Sequence, residues 1–194
     1  LAQTSGGRLQ IAWIDVEGGA STLFVAPNGQ SLLFDTGFPG NDDRDAKRIA
    51  AAAKAMRLTR IDDVVISHWH GDHVGGLPAL AKLVPLGTFY DHGDGVEQSD
   101  RPLYEGYKAI AGTHRHIAKP GETITLGDMR VRVLVAEGPV IANAVNGGTT
   151  KASALRRRAG RYPPKSMRRA FMYSASGEPG ANGGMAMTRA PPSL

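Results

Sequence analysis

Val64-Val65-Ile66-Ser67-His68-Trp69-His70-Gly71-Asp72-His73-Val74-Gly75-Gly76 decides how the rest of the chain is read. A β-branched apolar run delivers three histidines and an aspartate into six consecutive positions, then turns on paired glycines. On an extended chain, residues two apart share a face, so His68 and His70 can reach one ion together. Asp72 and His73 lie just beyond, where the chain must bend, and can serve a second ion close by. Imidazole and carboxylate suit zinc, or a comparable divalent transition metal. The alternative is a polar loop with satisfied histidines, which does not account for so dense a cluster at a strand end.

Composition sets the bounds on this site. The 194 residues contain no cysteine, so disulfides and thiolate metal sites are excluded, and ligands must be histidine or carboxylate. The length suits one domain with a real core. No apolar run approaches the ~20 residues needed to span a membrane. The chain begins at Leu1, and residues 1–8 read as a flexible start that fits the end of a secretory signal, so a periplasmic or extracellular location is expected, with a cytoplasmic one as the alternative.

The net charge of +5 is not spread evenly. Nine of the 23 Lys and Arg residues but only one of the 18 acidic ones, Glu178, follow Gly148, so the first 148 residues carry a net of −3. Valine and isoleucine also stop short of that point, at Val145 and Ile141. Residues 9–148 therefore read as a domain and residues 149–194 as a basic tail of another kind.

Along the domain, Leu9 to Val16 and Thr22 to Ala26 read as strands, and Asn28-Gly29 as a type I′ hairpin turn returning through Ser31-Leu32-Leu33-Phe34 to Asp35-Thr36-Gly37. Asn41-Asp42-Asp43 is placed to cap a helix running to about Leu58, with Ala46, Ile49, Ala53 and Met56 on its inner face. Ile61 to Ser67 is the strand feeding the metal loop. Gly76 to Leu83 reads as a short helix, Thr88 to Tyr90 as a strand, Asp100 to Ala111 as a helix, and Glu122 to Val135 as a hairpin about Gly127-Asp128. Alternating strands and helices predict a layered α/β domain.

His-x-His-x-Asp-His at the end of an apolar strand resembles the signature of the metallo-β-lactamase fold superfamily. Ile14 to Ser21, Pro27-Asn28-Gly29 and Phe34-Asp35-Thr36-Gly37 resemble, in part, the opening of the branch related to the soluble hydrolase domain of ComEC, the DNA-uptake competence protein. Glu17-Gly18-Gly19-Ala20 stands where that branch usually has Gly-Gln-Gly-Asp. The resemblance implies the N-terminal part of an αββα sandwich over residues 9–148. It implies that His68 and His70 hold a first metal and Asp72 and His73 a second, with Asp35 orienting a ligand or bound water from behind. It implies one or two zinc ions and hydrolysis of an ester, lactone or phosphodiester by a water that the metal makes nucleophilic, aligned by Asp72. His92, at another strand exit, is a candidate substrate contact.

The superfamily's later ligands are a histidine after the mid-domain hairpin, a bridging aspartate and a late histidine. This chain has no histidine after His116 and no aspartate after Asp128; Glu137 is the nearest candidate. His114-x-His116 has chelating spacing but reads as a solvated loop between Arg115 and Lys119. The tail shows no strand alternation. It fits a basic segment for nucleic acid or an acidic surface, a lineage-specific extension, or out-of-frame translation replacing the second half of the domain. The third accounts best for so abrupt a break. The expected function is a metal-dependent hydrolase of reduced activity acting on a small-molecule or phosphodiester substrate. The alternative is a non-enzymatic metal- or nucleic-acid-binding protein that uses the tail.

Overall fold

The computed structural model describes residues 7–95 and 98–136, together with the backbone of Met172–Gly177. Six strands form the main sheet in the order β1 (Gln10–Trp13), β2 (Thr22–Val25), β3 (Ser31–Phe34), β4 (Ile61–Val65), β5 (Leu86–Asp91) and β6 (Arg115–Ile117). The first three pair antiparallel as a meander. From β3 onward the pairing is parallel, with Phe34 opposite Val65 and Val65 opposite Tyr90. Parallel neighbours need crossovers. These are α1 (Arg44–Ala55), the single turn α2 (Gly71–Val74) with α3 (Leu77–Leu83), and α4 (Arg101–Ala111).

Side-chain alternation sends the two faces of the sheet to different partners. Leu33, Val64, Ile66 and Phe89 pack with Ile49 and Ala53 of α1, Leu77 and Leu80 of α3, and Tyr104 and Tyr107 of α4. Leu32 and Val65 face the other way, against Ile124, Leu126, Val131 and Val133. Those four belong to β7 (Thr123–Leu126) and β8 (Met129–Val135), a hairpin closed by Gly127 at φ 63. Helices on one face and a second sheet on the other give three layers of the expected αββα sandwich. Among the described residues no helix is long and apolar enough to cross a membrane.

Four local expectations are corrected. The Pro27-Asn28-Gly29 turn is closed by the Gly29 N–H to Ala26 O, and only Gly29 has positive φ, at 91°. A type I′ turn needs both central residues positive, so Pro27 has instead entered the loop and Gly29 ends it left-handed. Asn41, Asp42 and Asp43 do not cap α1 through their side chains: all three take left-handed φ of 50–55°. Asn and Asp tolerate that region better than other side chains. Asp45, in the first turn of α1, turns its carboxylate to the preceding loop, where it accepts the Phe38 N–H at 2.8 Å.

Arg115–Ile117, read as loop, is the edge strand β6, and His116 pairs with Glu122 at 2.6 Å. Its three residues are too short to carry a strand pattern. Finally, Met172–Gly177 forms a strand, β9, antiparallel on β8, within the tail read as patternless. A strand beside β8 satisfies backbone groups that an open edge would leave to solvent. The remaining expectations for residues 1–6, Glu137 and the rest of 149–194 lie outside the described residues.

Candidate metal centre

β3, β4 and β5 are parallel, so their C-terminal ends open on one edge of the sheet. Asp35, Ser67 and His92 follow these three strands directly or within two residues. Ligand sites in open α/β sheets belong at this edge. Asp35 leaves β3 at φ 61, a conformation few non-glycine residues adopt, while its N–H still bonds Val65 O at 2.8 Å. The turn therefore points its carboxylate across to the start of the histidine loop.

The loop itself is braced through its backbone. A helix of four residues such as α2 leaves most of its carbonyls without intrahelical partners. Asp72 O accepts the Ala20 N–H at 3.0 Å, and His73 O accepts the Thr36 N–H at 2.6 Å and its hydroxyl at 2.9 Å. The paired glycines after the motif are required by close approach. A Cβ on Gly75 would collide with Gly71 O and Pro39, and one on Gly76 with Thr36 O.

Trp69, between the two leading histidines, turns inward. It is 3% exposed, packs against Tyr104 and Tyr107, and donates its indole N–H to Gly93 O at 3.0 Å. Behind it, fully buried Asp91 receives the Gly93 N–H, the Tyr107 hydroxyl and two bonds from Arg115 at 2.7 and 2.8 Å. Those bonds with Asp91 hold the Arg115 guanidinium well above its ordinary pKa. The strand-end alternation that buries Trp69 leaves His68 and His70 on the opposite side together.

Hydrogen bonds select which nitrogen each histidine offers. The Ser67 hydroxyl donates to Asp35 Oδ2 at 2.7 Å and the Ser67 N–H to Oδ1 at 2.7 Å. The hydroxyl oxygen is then an acceptor for His68 Nδ1–H at 3.0 Å. His73 Nδ1 lies 2.8 Å from Asp35 Oδ2 and is its donor. With both Nδ1 atoms protonated, His68 and His73 present Nε2 as lone-pair donors, the arrangement common behind metal-ligating imidazoles. Burial raises the Asp35 pKa, while the bonds from His73 and Ser67 pull it down.

The outward atoms converge. One ligand atom each from His68, Asp72 and His73 lie within 4.8 Å of one another. His68 Nε2 is 3.1 Å from His70 Nδ1. Two imidazole nitrogens on one zinc at ~2.0–2.1 Å and a near-tetrahedral angle stand about 3.3–3.4 Å apart, so this separation fits a shared ion. His73 Nε2 lies 3.5 Å from Asp72 Oδ2. The donor set is histidine nitrogen and carboxylate oxygen, as a zinc-type ion requires.

The family model for the metallo-beta-lactamase superfamily matches residues 15–148. The chain belongs to the metallo-beta-lactamase superfamily. Among curated members it is 33% identical over 109 residues to an atrochrysone carboxyl ACP thioesterase of Emericella nidulans, covering 54% of this chain and 34% of that one. It is 31% identical over 109 residues to the lactamase-like protein ptaB of Pestalotiopsis fici, covering 54% and 33%. The chain thus spans about a third of the length of the curated relatives it matches. Similar solved structures include a Cronobacter sakazakii metallo-beta-lactamase mutant (TM-score 0.48, 20% identity, 64% of this chain and 49% of that one). Another is the metallo-beta-lactamase fold protein YhfI of Bacillus subtilis (TM-score 0.46, 23% identity, 69% and 55%).

The superfamily motif read from sequence is therefore brought to one place, with one regrouping. Instead of two separate pairs, His68 touches both His70 and the Asp72–His73 side, its ring 3.8 Å from that of His73. His92 lies half-buried with its ring 5.3 Å from Trp69, on the support side of the loop. Two residues at the site are not marked by the motif. Ser67 reads from sequence as the last residue of a strand, although its place directly before His68 is a usable signal. Asp100 reads as the start of α4, 30 positions from the histidine it approaches, and nothing local announces that contact.

Proposed function

We propose that this chain is a metal-dependent hydrolase whose zinc-type ion or ions are held by His68, His70, Asp72 and His73, with an acyl thioester as the substrate class. The observation that carries the reading is the convergence of His68, Asp72 and His73 ligand atoms within 4.8 Å on a backbone-braced loop. The thioester assignment is supported by the relatives whose names describe thioesterases. When bound, the ion polarises the scissile carbonyl and lowers the pKa of water toward neutrality.

The chain's own residues supply the rest. Ser67 and Asp35 fix the tautomers of His68 and His73, so that no rearrangement is needed on loading. Asp72, at the solvent side of the cluster with a third of its side chain exposed, accepts a hydrogen bond from the attacking water and orients it.

Within these 194 residues no histidine follows His116 and no aspartate follows Asp128, so the later ligands that the resemblance implies are not among them. The partial likeness of the opening segment to the ComEC-related branch leaves a phosphodiester as the second substrate class.

The test is thiol release from an acyl-pantetheine thioester. The chain has no cysteine, so a thiol reagent reports substrate alone. Release that is abolished by a chelator, restored by zinc and lost in His70→Ala supports the proposal. Release unchanged by the chelator, or equal in wild type and His70→Ala, contradicts it. Cleavage of a bis-aryl phosphodiester in place of the thioester would move the substrate assignment to the second class.

A further inference from the structure

His68 and His73 each have a hydrogen-bonding group that fixes which nitrogen faces the cluster. His70 differs from them. It presents Nδ1, not Nε2, to His68, at 3.1 Å. For that atom to carry a lone pair, the proton must sit on Nε2. The group facing Nε2 is the carboxylate of Asp100, with Oδ2 at 3.5 Å. Both side chains are largely enclosed, 20% and 17% exposed, so water competes little for either.

Asp100 stands just before α4, where a carboxylate ordinarily caps the helix or answers its dipole. Here α4 draws no side-chain cap hydrogen bond from it, and Pro102 occupies the first turn. The α4 residues Tyr104 and Tyr107 are locked around Trp69, so the helix start is held at a fixed place beside the loop. One packing unit thus sets both the histidine pair and the carboxylate behind it.

We infer that Asp100 is a positioning residue for His70: its carboxylate holds Nε2–H and leaves Nδ1 turned toward His68. It plays for His70 the part that Asp35 plays for His73. The inference rests on the metal-site reading above, and its test separates the two.

In the zinc-loaded full chain, proton NMR of the histidine ring N–H groups reads the His70 Nε2–H directly. The expected result is a slowly exchanging Nε2–H signal in the wild type, its loss to solvent exchange in Asp100→Ala, and its retention in Asp100→Asn, whose amide oxygen still accepts. Zinc titration of the same proteins should show affinity falling about 10–100-fold in Asp100→Ala and less in Asp100→Asn. If Asp100→Ala changes only the unfolding midpoint, leaving that signal and zinc affinity at wild-type values, Asp100 serves the helix alone and the assignment is overturned. If Asp100→Ala fails to fold, the Asn variant decides: a protected Nε2–H with near-wild-type affinity supports the assignment, and an Nε2–H lost to exchange overturns it. If wild type and His70→Ala take up zinc equally, the metal-site reading fails and the assignment falls with it.

Discussion

The two faces of the main sheet are built to different standards. Toward α1, α3 and α4, a continuous core encloses Leu33, Ile49, Val64, Ile66, Leu77 and Leu80 at no exposure at all, and Trp69 belongs to it. Toward β7 and β8 the core formed by the described residues is smaller, and Leu134 and Val135 at the end of β8 are 43% and 49% exposed. Trp13 on the edge strand β1 is 74% exposed. The histidine loop grows from the well-packed side, since Trp69 is its anchor. Among the described residues, the site is therefore positioned from the better-packed side of the sheet.

Breaking the anchor should have the largest effect. Asp91→Ala leaves Arg115, the Tyr107 hydroxyl and the Gly93 N–H without their common acceptor. Removing one partner of a buried ion pair costs about 3–5 kcal/mol, which thermal unfolding would register as loss of most of the domain's stability. A loss under about 1 kcal/mol would mean that the network behind Trp69 is not what holds it.

Matched leucine truncations compare the two faces directly. Leu33→Ala, on the helix side, should cost about 3–4 kcal/mol in urea unfolding, and Leu126→Ala, on the second-sheet side, about 2 kcal/mol. Large-to-small costs shrink where neighbours can relax into the space, and the smaller core offers more freedom to do so. Equal costs would erase the distinction between the faces.

The smallest effect concerns Asp63, on the second-sheet face of β4. Burial, with Asp62 beside it, pushes its pKa up to about 6. A carboxyl whose folded pKa is raised holds its proton more tightly in the native state, so its favourable contribution is complete below about pH 4. That contribution is lost as pH rises toward 6. Asp63→Asn should therefore stabilise the domain at pH 7 by roughly 1 kcal/mol, after allowance for solvent contact, with the gain vanishing near pH 4. A gain independent of pH would place its cause outside this carboxyl.

The same contrast governs what could be read from sequence. His68, His70, Asp72 and His73 were legible because the ligand types and the strand periodicity coincide within ten residues. Asp35 was legible through the resemblance, and its left-handed turn explains why an aspartate tolerates the place. The helices were legible from apolar spacing. Asp100 was not, because its partner His70 is brought near only by the folding of α4 around Trp69. Arg115–Ile117 and Met172–Gly177 are strands by virtue of the neighbours β5 and β8, which offer them backbone partners; their own side chains carry little strand pattern. Local pattern announces elements that bury their own face, and is silent on those that borrow a partner.

The central claim is that the loop from His68 to His73 is a preformed metal cradle. Chelator-stripped protein titrated with zinc by calorimetry, beside His68→Ala, tests it most directly, because His68 touches His70 on one side and groups with Asp72 and His73 on the other. The account predicts at least one zinc bound per wild-type chain, with uptake lost in His68→Ala while its circular dichroism stays that of the wild type. Equal zinc uptake by the two proteins would contradict it.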